Sequence, residues 1–201
     1  MGNFLGHVEL PVIFYCAPSE EERVRSLRGD KPITVVTTWE TPFEMPPLQD
    51  LGGIDWAHHQ YEKDPEPQHH VPEVYGIWTA KPWIVKRAKD MNPYASEYFF
   101  WADAGAFRES GVSHTFAGLE MRLDEIYGIE GHRLRPDDMI ILASVQAFAP
   151  GLDFVKGAKR LDEPARDSII QAGWYGGKAQ GIDWWAREVQ KIVILQAGLG
   201  R

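Results

Sequence analysis

Between Ser96 and Arg108 the chain reads SEYFFWADAGAFR, an aromatic run that stops on a carboxylate, Asp103, with Gly105 two residues later. Tyr98, Phe99, Phe100 and Trp101 are consecutive, so large apolar rings point to both sides of any strand they form. Such a run predicts a strand buried on both faces. In an open α/β sheet, ligands gather beyond the carboxyl ends of the strands, which places Asp103 where a substrate or a metal would arrive. The same aspartate would also serve as a turn or helix cap, a role short acidic side chains fill well.

Composition narrows the classes that remain. The length of 201 residues fits one domain spanning 1–201, and 44 % hydrophobic with 25 % charged residues is the balance of a soluble globular protein. Against 21 basic side chains stand 29 acidic ones, a formal charge of −8, so the surface should repel a phosphate backbone and nucleic acid is not an expected partner. Cys16 is the sole cysteine, has no intrachain disulfide partner, and is expected to pack as a small hydrophobe. The opening residues Met1–His7 lack a secretion signal, and no stretch reaches the roughly 18 to 20 apolar residues of a membrane span, so the expectation is a soluble, cytoplasmic polypeptide as given.

Along the chain, Leu10–Ala17 and the β-branched Ile33–Trp39 read as strands around a charged helix that Ser19 would cap. Residues 40–70 are rich in Pro, Gly, Asp and His and predict an irregular connection with one short helix near Ile54–Tyr61. Val71–Met91 has helical periodicity, interrupted by Pro82, which predicts a kink or two abutting helices. After the aromatic strand come an amphipathic helix over Phe116–Tyr127, a strand over Met139–Val145 introduced by Arg135-Pro-Asp-Asp, a strand over Ser168–Tyr175 ending at Gly176-Gly177, and a helix over Lys178–Gln196. Strands alternating with helices predict an α/β fold with a mostly parallel sheet flanked by helices.

Several residues could carry chemistry. Lys81 falls within the apolar stripe of its helix, so its stem either snorkels to water or its ammonium meets an anion, a carboxylate or a ligand phosphate. Arg108, five residues past Asp103, would offer a bidentate contact to a diphosphate or form a surface ion pair. In Gly173-Trp-Tyr-Gly-Gly-Lys178 the glycines would allow close approach of a ligand at a strand-to-helix junction, with Trp174 and Tyr175 as a stacking wall, although a plain turn accounts for them as well. His58-His59 and His69-His70 lack metal-ligand spacing and read as a solvated loop. No GxSxG nucleophile elbow is present.

Taken together, Val74–Lys81, Ser96–Arg108 and Gly173–Lys178 resemble the HtrL/YibB-like family, which looks like glycosyltransferases of the GT-A type, where the aromatic strand ends Trp-x-Asp-x-Asp. The likeness runs in order over residues 8–190, and Trp101–Arg108 is its most specific part. It implies a GT-A-like domain that transfers a sugar from a nucleotide-sugar donor to a glycan or glycolipid acceptor. On the donor side it implies Lys81, Trp101, Asp103, Gly105 and Arg108, and on the acceptor side Trp174, Tyr175, Gly176 and Gly177. Asp103 would hold a divalent ion, Mn²⁺ or Mg²⁺, against the donor diphosphate. Gly105 stands where the second aspartate of the signature belongs, and the chain enters one strand late and stops after the last helix, as in a shortened member. A catalytically inactive nucleotide- or carbohydrate-binding module on the same scaffold is the alternative that these departures imply.

Overall fold

The computed structural model describes residues 1–105, 107, 119–127, 139–144 and 170–198. In chain order these form α1 (Gly2–His7), β1 (Val12–Tyr15), α2 (Glu21–Arg28), β2 (Ile33–Val36), α3 (Pro46–Gln49), α4 (Ile54–Tyr61), α5 (Pro72–Met91), β3 (Tyr98–Ala102), α6 (Leu119–Tyr127), β4 (Ile140–Ser144), β5 (Ile170–Lys178) and α7 (Ala179–Gly198), with 3₁₀ turns at Pro18–Glu20 and Pro42–Glu44. The chain is α/β. Among the described residues no helix is long and apolar enough to cross a membrane.

The strands fall into two sheets. β1 and β2 pair in parallel, Val12 opposite Ile33 and Tyr15 opposite Val36, with α2 as the crossover between them. The second sheet has the order β3-β5-β4, and both of its pairings are antiparallel. For the described strands the expectation of a mostly parallel sheet is therefore corrected. Alternation of strands and helices gives the order of the elements but not the direction in which each strand enters a sheet, and β5 inserts between β3 and β4 running against both.

β5 can enter because of its glycines. A Cβ on Gly176 would lie 2.5 Å from Cδ1 of Phe100 and even closer to the Phe99 carbonyl oxygen; one on Gly177 would lie 2.6 Å from the Met139 carbonyl. Gly176 and Gly177 thus sit inside a strand, not in the expected turn before the last helix. Their role is to let three backbones pack closely.

α5 ties the two sheets together. Ala80 and Ile84 pack with Met45, Leu48, Tyr15 and Trp101, while Val85 packs with Phe99, Tyr175 and Ile182 of α7. Of the two outcomes expected at Pro82, two abutting helices is not the one adopted: a single helix runs through Pro82, which is itself buried and supplies no N–H to the Trp78 carbonyl one turn back. Its end is a left-handed Asn92 (φ 34°) whose side-chain oxygen accepts the Ser96 N–H at 2.8 Å and whose amide donates to the Ser96 carbonyl at 3.1 Å. That closed turn sends β3 back along α5.

The N-terminal elements complete the frame. α1, which carries no strong periodic signal, packs Phe4 and Leu5 against Val12 and Val24, with Ala102, Ala104 and Phe107 on the same cluster. Cys16 joins that cluster as a half-buried hydrophobe, as expected from its apolar neighbours. Ser19 makes no capping hydrogen bond; it lies within the 3₁₀ turn that precedes α2. Arg28, 1 % exposed at the end of α2, donates to the carbonyls of Leu5 (3.0 Å), Val8 (2.6 Å), Leu10 (2.6 Å) and Pro32 (3.0 Å). The guanidinium replaces backbone donors that this irregular stretch lacks, and its burial lowers its pKa from the usual value.

Candidate functional site

A crevice of about 800 Å³ opens between β1 and β3, with α5 as its floor. Among the described residues β1 pairs only with β2 and β3 only with β5, so each turns an unpaired edge toward the other across this gap. Aromatic side chains line part of the walls, among them Phe14, Tyr94, Tyr98, Phe100 and Trp101. A concave, largely apolar space with few polar groups at fixed points is the common form of a small-molecule site.

Those polar groups sit where β3 ends. Lys81 is 4 % exposed, and its Nζ lies 2.9 Å from Oδ2 of Asp103, whose side chain is 35 % exposed. The Trp101 indole N–H donates to Oδ1 of Asp103 at 2.6 Å. The Lys81 ammonium also lies 5.4 Å from the centre of a Trp101 ring, and the Asp103 amide donates to the Gly173 carbonyl at 2.8 Å. Strand alternation puts Trp101 on the face toward α5, while the antiparallel return of β3 brings Asp103 level with Lys81. Of the two outcomes open to Lys81, burial against a carboxylate is the one the fold adopts. Cap geometry is not what holds Asp103; an ion pair and an indole hold it.

The expected metal is a separate question. Both carboxylate oxygens of Asp103 are already engaged, and among the described residues no group of three His, Cys, Asp or Glu side chains surrounds an ion position. Mg²⁺ and Mn²⁺ favour about six oxygen ligands. The described donor set does not fit such an ion by itself.

The remaining expected residues divide. Gly105 lines the crevice and is exposed, and a methyl group placed on it would meet nothing within 4 Å. Arg108 lies outside the described residues. Trp174 stacks on Phe100 with ring centroids 4.7 Å apart, and Tyr175, Gly176 and Gly177 are buried in the middle strand, none of them lining the crevice. The two groups are joined through the backbone contact of Asp103 to Gly173, the β3–β5 ladder and the shared core cluster of Trp101 and Tyr175.

Sequence reasoning missed a second cluster. His70, expected in a solvated loop, is half-buried with its Nδ1 2.7 Å from Oδ2 of Asp64, a carboxylate only 2 % exposed. The Glu66 N–H donates to Oδ1 of Asp64 at 2.8 Å. Burial pushes the Asp64 carboxyl up, but Glu66, the Tyr75 hydroxyl and His70 more than offset it and hold it below the usual value. Tyr75 is pushed up to about 12 by burial and by its hydrogen bond to Asp64. Trp78, read as part of the apolar helix stripe, is 43 % exposed, lines the crevice, and meets His70 and Tyr75 edge-on. The short Pro-rich loop from Asp64 to His70 carries no pattern that would have paired its two ends.

Compared with known proteins, the chain matches no family model, no curated relative and no solved structure.

Proposed function

We propose that this chain is a glycosyltransferase-like protein that moves a sugar from a nucleotide-sugar donor to a glycan or glycolipid acceptor, on a scaffold related to the GT-A type and to the HtrL/YibB-like family. One observation carries the reading: a buried lysine and an aspartate at the carboxyl end of an aromatic strand meet at 2.9 Å beside an 800 Å³ crevice. In sugar transfer an acceptor hydroxyl oxygen forms a bond to the anomeric carbon as that carbon's bond to the donor phosphate breaks. The electron pair leaves with the nucleoside diphosphate, and the proton of the acceptor hydroxyl passes to the departing diphosphate or to water. A fixed ammonium in a poorly hydrated place stabilises that departing charge better than water does, because its position needs no reorganisation. Lys81 supplies that charge, and Asp103 and the Trp101 ring keep it in place. The diphosphate would then compete with Asp103 for the ammonium. Trp101, Gly105 and Arg108 complete the proposed donor side.

A second reading, a nucleotide- or carbohydrate-binding module without turnover, is favoured by the engagement of both Asp103 oxygens and by Gly105 in the place of a second carboxylate. A thermal-shift series with UDP, GDP and CMP sugars, each with and without Mn²⁺, followed by measurement of donor hydrolysis, separates the two. Stabilisation with hydrolysis supports the enzyme, stabilisation alone supports the module, and a Mn²⁺ requirement would mean that ligands beyond the described residues complete a metal site. Asp103→Ala is expected to abolish the Mn²⁺-dependent part of nucleotide binding while the protein stays folded; an unchanged Mn²⁺-dependent part would remove Asp103 from the site.

A further inference from the structure

We propose that Trp78 and His70 form a pyranose-binding subsite at the side of the crevice, and that an acceptor sugar sits there and not against Trp174–Gly177. Only the word acceptor rests on the sugar-transfer reading; pyranoside binding is a claim about these side chains alone. Trp78 leaves 43 % of its surface open while lining the crevice. The Tyr75 ring meets it at 5.3 Å and 69°, and the His70 ring at 5.0 Å and 81°. Two near-perpendicular neighbours brace an indole that is partly open, and a flat aromatic surface is what the apolar C–H face of a pyranose packs on.

His70 adds direction. A carboxylate can only accept, so the 2.7 Å contact from Asp64 places the proton of a neutral imidazole on Nδ1 and leaves Nε2 as a bare acceptor. A sugar hydroxyl can donate to it. Asp64 in turn is fixed by the Glu66 N–H and the Tyr75 hydroxyl, so the acceptor nitrogen belongs to a braced unit. That unit has its negative charge met by three donors, which suits an uncharged glycoside better than a phosphate.

Position agrees with chemistry. Trp78 and Lys81 are three residues apart on α5, neighbours on one helix face and about 4.5 Å apart along its axis. A ring on Trp78 therefore reaches toward the Lys81–Asp103 end of the crevice, where a donor's reacting carbon would lie. Trp174 does not line the crevice, and Phe100 stacks on it at 4.7 Å.

The test is saturation-transfer NMR on the full chain with methyl β-D-glucopyranoside and methyl β-D-galactopyranoside, with UDP binding followed separately by calorimetry. The wild type should transfer saturation mainly to ring protons of one pyranose face. Trp78→Ala should lose the signal, as should Trp78→Leu, which keeps apolar bulk without a flat ring and guards against a folding defect. His70→Asn should weaken binding about tenfold, the loss expected for one hydrogen bond. No transfer in the wild type to either glycoside, or transfer unchanged in both Trp78 variants, overturns the subsite. Glycoside binding without any UDP binding would leave the subsite standing and remove the donor reading; UDP binding without glycoside binding does the reverse.

Discussion

Lys81 in the third turn of α5 and Asp103 one residue past β3 are 22 positions apart in sequence and 2.9 Å apart in space. The pair links a helix that packs on both sheets to the β3 edge that borders the crevice. Removing either partner takes a close opposite charge from the other in a poorly hydrated place, although the exposure of Asp103 and its Trp101 hydrogen bond soften the effect. A double-mutant cycle on Lys81→Met and Asp103→Asn, read by urea denaturation, should give a coupling of about 1–3 kcal/mol. Strictly additive effects would mean that the contact contributes nothing to the fold.

The glycines of the site should behave oppositely. Alanine at position 176 drives a methyl into the Phe99 carbonyl and the Phe100 ring between paired strands, where neither neighbour can yield. Gly176→Ala is expected to cost about 3 kcal/mol, the upper range for overpacking. Gly105→Ala meets nothing within 4 Å and should stay within about 0.5 kcal/mol of the wild type. Equal losses in thermal denaturation would contradict the strand placement of Gly176.

Arg28 holds four backbone carbonyls, one in the last turn of α1 and three outside helices and strands. Arg28→Leu should destabilise by about 3 kcal/mol, because the Leu5, Val8 and Leu10 carbonyls lose this donor and carry a desolvation penalty, while the Pro32 carbonyl keeps the Val12 N–H. Arg28→Lys keeps the charge but not the planar fork, and should recover only part of the loss. Full recovery in Arg28→Lys, measured by chemical denaturation, would show that charge and not donor geometry matters.

The Asp64 carboxyl is held below its usual value in the folded chain, so ionised Asp64 favours folding. Its contribution is complete above the unfolded value, about 3.9, and is lost as pH falls through the lower folded value. The melting temperature of the wild type should exceed that of Asp64→Asn at neutral pH, and the gap should close below about pH 4. Parallel melting curves across that range would show that Asp64 does not titrate with folding.

The sequence carried much of the local structure for physical reasons that act over a few residues. Consecutive aromatic side chains fixed β3, β-branched residues fixed β2, and the short helix over Ile54–Tyr61 was readable inside a Pro-rich stretch. Pro82 left open whether one helix or two would form, and one formed because the cost of a missing N–H is offset by burial within a long packed helix. The pair Gly176-Gly177 misled. Two glycines permit a turn and also permit close strand packing, and only the neighbouring chain tells which is used.

By itself, then, the amino-acid order determined an acidic α/β chain, a strand ending on Asp103 and a lysine on the apolar side of a helix, all consequences of periodicity and side-chain size. Only the tertiary structure decided that Lys81 meets Asp103, that β5 runs antiparallel between β3 and β4, and that Asp64, His70 and Trp78 gather beside the crevice. The reason is that pattern constrains which face of an element is buried, whereas partners separated by a loop are chosen by how whole elements pack, a choice made by buried area and chain connectivity together.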